Sequence, residues 1–108
     1  MNKYSVHLEP VENSNHAGGN AYSWIARFYE GDNAEEQFDH HQPYVTHTTV
    51  VRTCLGIVEA KGLSNDVTHD QFIAFMRALH KTDPGIEIVQ MRRHGEMEFY
   101  DMADSRWN

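Results

Sequence analysis

Two segments of the chain, residues 3–8 and 22–29, alternate apolar and polar side chains with the period of a β-strand. The apolar positions are Tyr4, Val6 and Leu8 in the first segment, and Tyr22, Trp24, Ala26 and Phe28 in the second. Successive side chains of a strand point to opposite faces, so this pattern predicts two half-buried strands. The turn-forming residues at 10–20 predict the loop between them. The chain must therefore contain a sheet with one apolar face.

Helical periodicity replaces this alternation in the middle of the chain. A first helix is predicted from about residue 47 to Gly62, and a second begins at a capping box formed by Thr68 and Gln71. The apolar positions at helical spacing are Val51, Cys54, Leu55 and Val58 in the first, and Phe72, Phe75, Met76 and Leu79 in the second. The turn formers at 83–85 are expected to end the second helix.

Three further strands are predicted. Residues 35–41 form a polar strand at a sheet edge, with Phe38 as its apolar anchor. Near the end of the chain, strands at 86–90 and 97–99 form a hairpin around a turn at 94–95. Within this hairpin the residues that share a face are Ile86, Ile88 and Gln90 on the first strand, and Met97 and Phe99 on the second.

Together these elements predict a single α+β domain over residues 1–108. The length of 108 residues allows one hydrophobic core and not two. Strands that are grouped, in the order β-β-β-α-α-β-β, predict an antiparallel sheet of about five strands with two helices on one face. Residues 103–108 are expected to form a frayed tail, unless Trp107 docks on the domain.

Composition predicts a cytoplasmic protein without membrane contact. No apolar run approaches the roughly 20 residues that span a bilayer. The N-terminus also lacks the long apolar segment of a signal peptide. Cys54 is the single cysteine and so cannot form an internal disulfide, which is typical of a reducing compartment.

The negative charge is concentrated in one segment, residues 30–39. The chain has a net charge of −7, and this segment contains no Lys or Arg. Its five carboxylates are Glu30, Asp32, Glu35, Glu36 and Asp39. Such a cluster repels nucleic acid and attracts basic protein surfaces over about 8–10 Å. The segment therefore predicts a basic protein surface as partner, and no direct binding of DNA or RNA. In the other interpretation, the charge only keeps the chain soluble.

A second acidic group lies near the C-terminus. Its members are Glu96, Glu98, Asp101 and Asp104, and the aromatic residues interleaved with the two groups are Tyr29, Phe38, Phe99 and Tyr100. If the C-terminal hairpin lies beside segment 30–39, both groups form one anionic surface that suits the capture of Arg and Lys side chains. In the alternative, Phe38 and Phe99 face the core and the acids are only its solvated side.

The eight histidines raise the alternative of a metal site or a metal-dependent enzyme. The candidate ligands are Asp39, His40, His41 and His47. Adjacent strand residues point to opposite faces, however, and the spacing matches no H-E-x-x-H signature. Cys54 lies on the apolar stripe of the first predicted helix, where a thiol is buried and inert. No nucleophile elbow or phosphate-binding loop is present, so we predict no cofactor and no catalytic residue.

These observations favour a non-enzymatic protein-binding domain, an inhibitor or regulator that blocks a basic, nucleic-acid-binding surface of its partner. In its small size, its acidic charge and its lack of catalytic motifs, the chain is similar in profile to anti-CRISPR proteins, other phage-encoded inhibitors and toxin-immunity proteins. If it is phage-encoded, its location is the host cytoplasm. The alternatives are the metal-binding protein above and a subunit of a homo-oligomer with Trp24, Tyr22 or Trp107 in the contact.

Overall fold

A six-stranded sheet and two helices make up the part of the chain that the computed structural model describes, residues 3–11, 23–63 and 67–107. The strands are β1 (Tyr4–Pro10), β2 (Ser23–Glu30), β3 (Thr46–Cys54), β4 (Ile57–Lys61), β5 (Ile88–Arg93) and β6 (Glu96–Asp101), and the helices are α1 (Ala34–Asp39) and α2 (His69–Thr82). The strands lie side by side in chain order, and only β4 and β5 are parallel, because α2 connects them. The predicted α+β class with a largely antiparallel sheet is confirmed.

The first two predicted strands, β1 and β2, are confirmed and pair antiparallel. Val6 lies opposite Phe28, and Leu8 lies opposite Ala26. The alternating apolar positions of β2 that the structure describes are all buried: Trp24, Ala26 and Phe28. Tyr22 and most of the predicted loop at 10–20 lie outside the described residues.

Helix α2 begins and packs as its sequence predicts. The Thr68 hydroxyl accepts a hydrogen bond from the Gln71 amide at 3.2 Å, and the Gln71 side chain accepts one from the Thr68 amide at 2.9 Å. The apolar stripe Phe72, Phe75, Met76 and Leu79 is buried. The ring of Phe75 stacks on Phe28 with 5.8 Å between the centroids, so α2 covers the apolar face of the sheet.

The first predicted helix, from 47 to Gly62, is wrong, because these residues form the β3–β4 hairpin. Thr48, Val50 and Arg52 are buried at every second position. β-Branched residues dominate the segment and favour strands, since they pack well on a pleated surface. The turn between the strands contains Gly56 at φ +81°. Cys54, predicted to be buried on a helix, is exposed instead.

The polar strand predicted at 35–41 is also wrong, because 34–39 form the short helix α1. This helix lies against the face of the sheet opposite to α2. The two helices therefore cover opposite faces, and not one face. We call the side covered by α2 the inner face, and the other, which carries the alternate residues such as His7, Arg27 and Phe99, the outer face.

The C-terminal hairpin forms around the predicted turn, where His94 and Gly95 both have positive φ. Val89 and Met91 face the core. The residues that share the outer face are Ile88, Gln90, Met97 and Phe99. Beyond β6 the chain folds back and docks Trp107, whose indole N–H donates to the Asp101 carbonyl at 3.1 Å.

A largely buried ion pair connects the sheet to the end of α2. Arg52 on β3 lies 2.5 Å from the carboxylate of Asp83, the residue that follows α2. The guanidinium also lies 5.5 Å from the centre of the Trp24 ring. The Asp83 side chain accepts a further hydrogen bond from the Gly85 amide at 3.0 Å. Within the described residues, neither helix combines the length and the apolar character needed to cross a membrane.

Candidate interaction site

Helix α1 presents the acidic segment, and its helical form has local causes. Ala34, Glu35 and Glu36 favour helices, and the two glutamates lie in the first turn, where a negative charge interacts favourably with the helix dipole. The Gln37 side chain donates to Asn33 Oδ1 at 2.8 Å and to the Glu30 carbonyl at 2.7 Å. These bonds fix the turn from β2 into α1.

A Schellman motif ends α1. The His41 amide donates to the Phe38 carbonyl, and the Gln42 amide donates to the Gln37 carbonyl at 2.9 Å. His41 accordingly has the left-handed conformation, with φ +55°. A strand was predicted here from polar residues around one apolar position. Helix formers at 34–37 were the signal that favoured a helix.

The five carboxylates of segment 30–39 are all solvent-exposed. These are Glu30, Asp32, Glu35, Glu36 and Asp39. Within the described chain, none of them forms an ion pair with Lys or Arg. Their charges are therefore screened only by solvent and salt, and their combined field extends from this corner of the domain.

Phe38 anchors α1 and does not enter the core. Its ring stacks on the His7 imidazole, with centroids 3.9 Å apart and planes 12° from parallel. The Arg27 guanidinium lies 5.2 Å from the Phe38 centroid and forms an ion pair with Glu9 at 2.8 Å. Phe38 is half-buried in this cluster on the outer face. It holds the acidic helix in place and has little surface left for a partner.

The same cluster lowers the pKa of His7 below its ordinary value. Burial against α1 is the largest cause, because it disfavours the charged imidazolium. The nearby carboxylates of Glu35 and Glu9 oppose this effect and raise the pKa, whereas Arg27 lowers it. The net direction favours the neutral imidazole in the folded domain.

Two exposed apolar residues, Tyr44 and Val45, lie directly after α1. They are 44% and 51% exposed. The Tyr44 ring contacts His47 edge-on at 5.5 Å between centroids and lies 5.8 Å from the Arg27 guanidinium. The Val45 amide donates to the Phe28 carbonyl at 2.7 Å, which ties this loop to β2. Sequence analysis missed both residues, because only the packing of the loop on the outer face shows that their side chains are exposed.

The second acidic group is separated from the first by the width of the sheet. The first group follows β2, whereas the second begins on β6, four strands away. At about 4.8 Å per strand this is about 19 Å, well beyond the range of a screened charge. The predicted single anionic surface is therefore not formed.

Most carboxylates of the second acidic group accept hydrogen bonds from nearby residues. The Tyr100 hydroxyl donates to Glu98 at 2.5 Å, and the Ala103 amide donates to Asp101 at 2.8 Å. Asp104 pairs with Arg106 at 2.9 Å, and this hydrogen bond lowers the pKa of the Asp104 carboxyl. Glu96 is exposed, and Phe99 is 65% exposed on the outer face, so Phe99 does not face the core.

The proposed metal ligands are not assembled into a site. In the described part of the chain, no group of three or more His, Cys, Asp or Glu side chains is placed to hold a metal ion. Asp39, His40 and His41 lie at the end of α1 and are exposed. His47 lies on β3, beside Tyr44.

Two residues proposed for an oligomer contact, Trp24 and Trp107, are each only 2% exposed and belong to the core. That part of the oligomer hypothesis is wrong, and Tyr22 lies outside the described residues. Comparisons of the chain with protein-family models, with curated proteins and with solved structures gave no match. Function is therefore inferred from the side chains alone.

Proposed function

We propose that the chain is a non-enzymatic protein-binding domain that blocks a basic, nucleic-acid-binding surface of a partner protein in the cytoplasm. This proposal rests on two features that lie side by side. The carboxylates form no ion pair with Lys or Arg in the described chain, and Tyr44 and Val45 beside them are exposed. We define the acidic surface by its residues: Glu30, Asp32, Glu35, Glu36, Asp39, Tyr44 and Val45.

The carboxylates and the apolar residues have different roles in this proposal. Complementary charge attracts a basic partner and mainly raises the association rate and the selectivity. Aromatic and aliphatic side chains that become buried provide most of the affinity. Tyr44 is preoriented by its contacts with Arg27 and His47, so little conformational entropy is lost when it binds.

The mechanism is steric and electrostatic blockade. A channel that binds nucleic acid is lined with Lys and Arg, and the acidic surface competes for those side chains. Inhibition by this route needs no catalytic group and no cofactor. It is the mode of action expected from the similarity in profile to phage-encoded inhibitors and immunity proteins, and in the phage case it takes place in the host cytoplasm.

The first experiment is affinity capture of the tagged protein from cell lysate, with and without nuclease. The native chain is compared with a variant carrying Glu35→Lys, Glu36→Lys and Asp39→Lys. A control carries the same kind of charge reversal at Glu87 and Glu96, which are also exposed. We expect the native chain and the control to retain a basic protein, with or without nuclease treatment. The variant should not retain it.

Binding measurements with the captured partner then distinguish the contribution of the carboxylates from that of the apolar side chains. The reversal at Glu35, Glu36 and Asp39 should weaken binding at least tenfold at low salt, chiefly through slower association. Tyr44→Ala should instead speed dissociation. If the reversal variant is folded by circular dichroism and binds as tightly as the native chain, the acidic surface is not the interface.

One observation favours a second candidate, a subunit of a homo-oligomer. Phe99 lies on the outer face of the edge strand β6 with 65% of its surface exposed. Light scattering on the native chain and on Phe99→Asp measures the mass directly. A dimer that Phe99→Asp converts to a monomer would support this candidate, and a native monomer would exclude it.

A further inference from the structure

A groove on the side of the domain covered by α2 has the reverse charge. It has a volume of about 640 Å³ and lies between the beginning of β1 and the outward side of α2. Its basic lining residues are Lys3, Arg77, Lys81 and Arg106. Asp70 is the one acidic residue in the described lining and Arg106 is paired with Asp104, so the remaining lining residues have a formal charge of +2 on a chain of −7.

Apolar and charged residues both line this groove. Val6 of β1 and Ile73, Ala74 and Ala78 of α2 are its half-buried apolar residues. Lys3 and Lys81 are exposed, and neither forms an ion pair within the described residues. Apolar residues and two exposed lysines in one groove suit a ligand that carries both apolar and acidic groups.

Along β1, some backbone groups are bonded to no other segment of the described chain. β1 is an edge strand among the described strands, and its neighbour there is β2. The Gly31 amide donates to the Lys3 carbonyl, and the Val11 amide donates to the Ser23 carbonyl. In an antiparallel pair every second residue bonds to the neighbouring strand, so the odd-numbered residues of β1 bond to β2. Tyr4, Val6 and Leu8 therefore direct their N–H and C=O groups away from β2.

These groups lie at a spacing that another strand can match. They recur every second residue, about 6.7 Å apart, and no backbone bond from another described segment occupies them. Pro10, which has no N–H, points outward at the far end of β1 and limits pairing to the part beside the groove. Strand addition to a free edge beside a helix is an established mode of peptide recognition.

We propose that this groove binds an extended acidic peptide segment of a partner protein, which adds a strand to the edge of β1 that lies away from β2. The backbone of the peptide would pair with Tyr4 and Val6. Its apolar side chains would contact Ile73 and Ala74, and its carboxylates would lie near Lys3 and Lys81.

Charge distinguishes this occupant from nucleic acid. The bond between Gly31 and Lys3 places the acidic turn of Glu30 and Asp32 at the mouth of the groove. A long polyanion that leaves the groove on this side would meet these carboxylates, whereas a short acidic segment ends before them. The groove shares no lining residue with the acidic surface of the proposed function, and of that surface only the turn at Glu30 and Asp32 lies beside its mouth.

The test uses a fluorescein-labelled hexapeptide, Glu-Val-Glu-Val-Glu-Val, with blocked ends, and the full chain. Anisotropy measures binding at low salt, and amide chemical shifts locate it. We expect saturable binding, with shifts at Tyr4, Val6, Ile73 and Lys81. The double variant Lys3→Glu with Lys81→Glu should bind at least tenfold more weakly, whereas Lys61→Glu with Arg92→Glu, which places the same charge change outside the groove, should not.

Two altered probes and one competitor make the proposal falsifiable. A peptide with Lys in place of Glu should fail to bind, and a peptide with Pro at the central Val should bind at least fivefold more weakly, because it lacks a backbone donor. Equal binding of either altered peptide would overturn the charge or the strand-addition part of the proposal. Stronger binding of a single-stranded oligonucleotide at the same amides would also overturn it. The reversal at Glu35, Glu36 and Asp39 should leave peptide binding intact, so the two proposals fail independently.

Discussion

Replacing Asp83 by alanine should destabilise the domain more than replacing both Asp83 and its partner Arg52. The carboxylate lies 2.5 Å from the guanidinium, and the two side chains are 18% and 9% exposed. Asp83→Ala leaves a largely buried cation without this counter-ion. It also removes the acceptor of the Gly85 amide.

The expected cost of Asp83→Ala is about 3 kcal/mol. Truncating one partner of a buried ion pair costs about 3–5 kcal/mol, and the bond to the Gly85 amide contributes about 1 kcal/mol. Because water reaches the partly exposed carboxylate, the loss of the ion pair costs only about 2 kcal/mol, and the total is about 3 kcal/mol. Adding Arg52→Met removes the cation that has lost the Asp83 carboxylate and keeps an apolar side chain against Trp24. The double variant should therefore recover about 1–2 kcal/mol relative to Asp83→Ala.

Urea unfolding at pH 7 measures these differences for the native chain, both single variants and the double variant. The fluorescence of buried Trp24 and Trp107 reports the unfolding transition. The variants can be compared if the unfolding free energy has the same slope against urea concentration in each of them. Asp104→Ala, which breaks the exposed pair with Arg106, is the control and should move the midpoint far less. A cost below about 1 kcal/mol for Asp83→Ala, or a double variant that equals the sum of the singles, would refute this reasoning.

Two further predictions test the outer face and the β3–β4 hairpin. The folded-state pKa of His7 should lie below 6.5 by NMR titration and should fall further in Glu35→Gln. Because the unfolded chain then binds the proton more readily than the folded chain, the free energy of unfolding should decrease as the pH falls from 6.5 through the folded-state pKa. A titration midpoint at or above 6.5 would contradict the burial argument. Cys54 should react with a thiol reagent in the native domain almost as fast as in urea, whereas strong protection would contradict the exposed end of β3.

Elements with a strong local signal were predictable. The capping box at Thr68 and Gln71 and the apolar stripe of α2 lie within one short stretch of chain, so the helix can be recognised without its partners. The alternation of Val6 and Leu8, and the turn at His94 and Gly95, are equally local.

Segments that fit two periods were not predictable. Val51 and Val58 match a helical stripe, yet the alternate burial of Val50 and Arg52 matches a strand. The choice depends on pairing with β2, in which Val50 lies opposite Trp24, a residue 26 positions earlier in the chain. The helix at 34–39 had a local signal in Ala34, Glu35 and Glu36, and only its placement on the sheet depends on the contact between Phe38 and His7.

Of the candidate sites, the sequence by itself determined the composition of the acidic segment, because five carboxylates without a neighbouring cation are a property of ten adjacent residues. Only the tertiary structure decided that the second acidic group lies at the far edge of the sheet, that Tyr44 and Val45 are exposed beside the first, and that Lys3 and Lys81 line one groove. The physical reason is that charge and periodicity are local, whereas strand order and helix placement bring together residues that are distant in the chain.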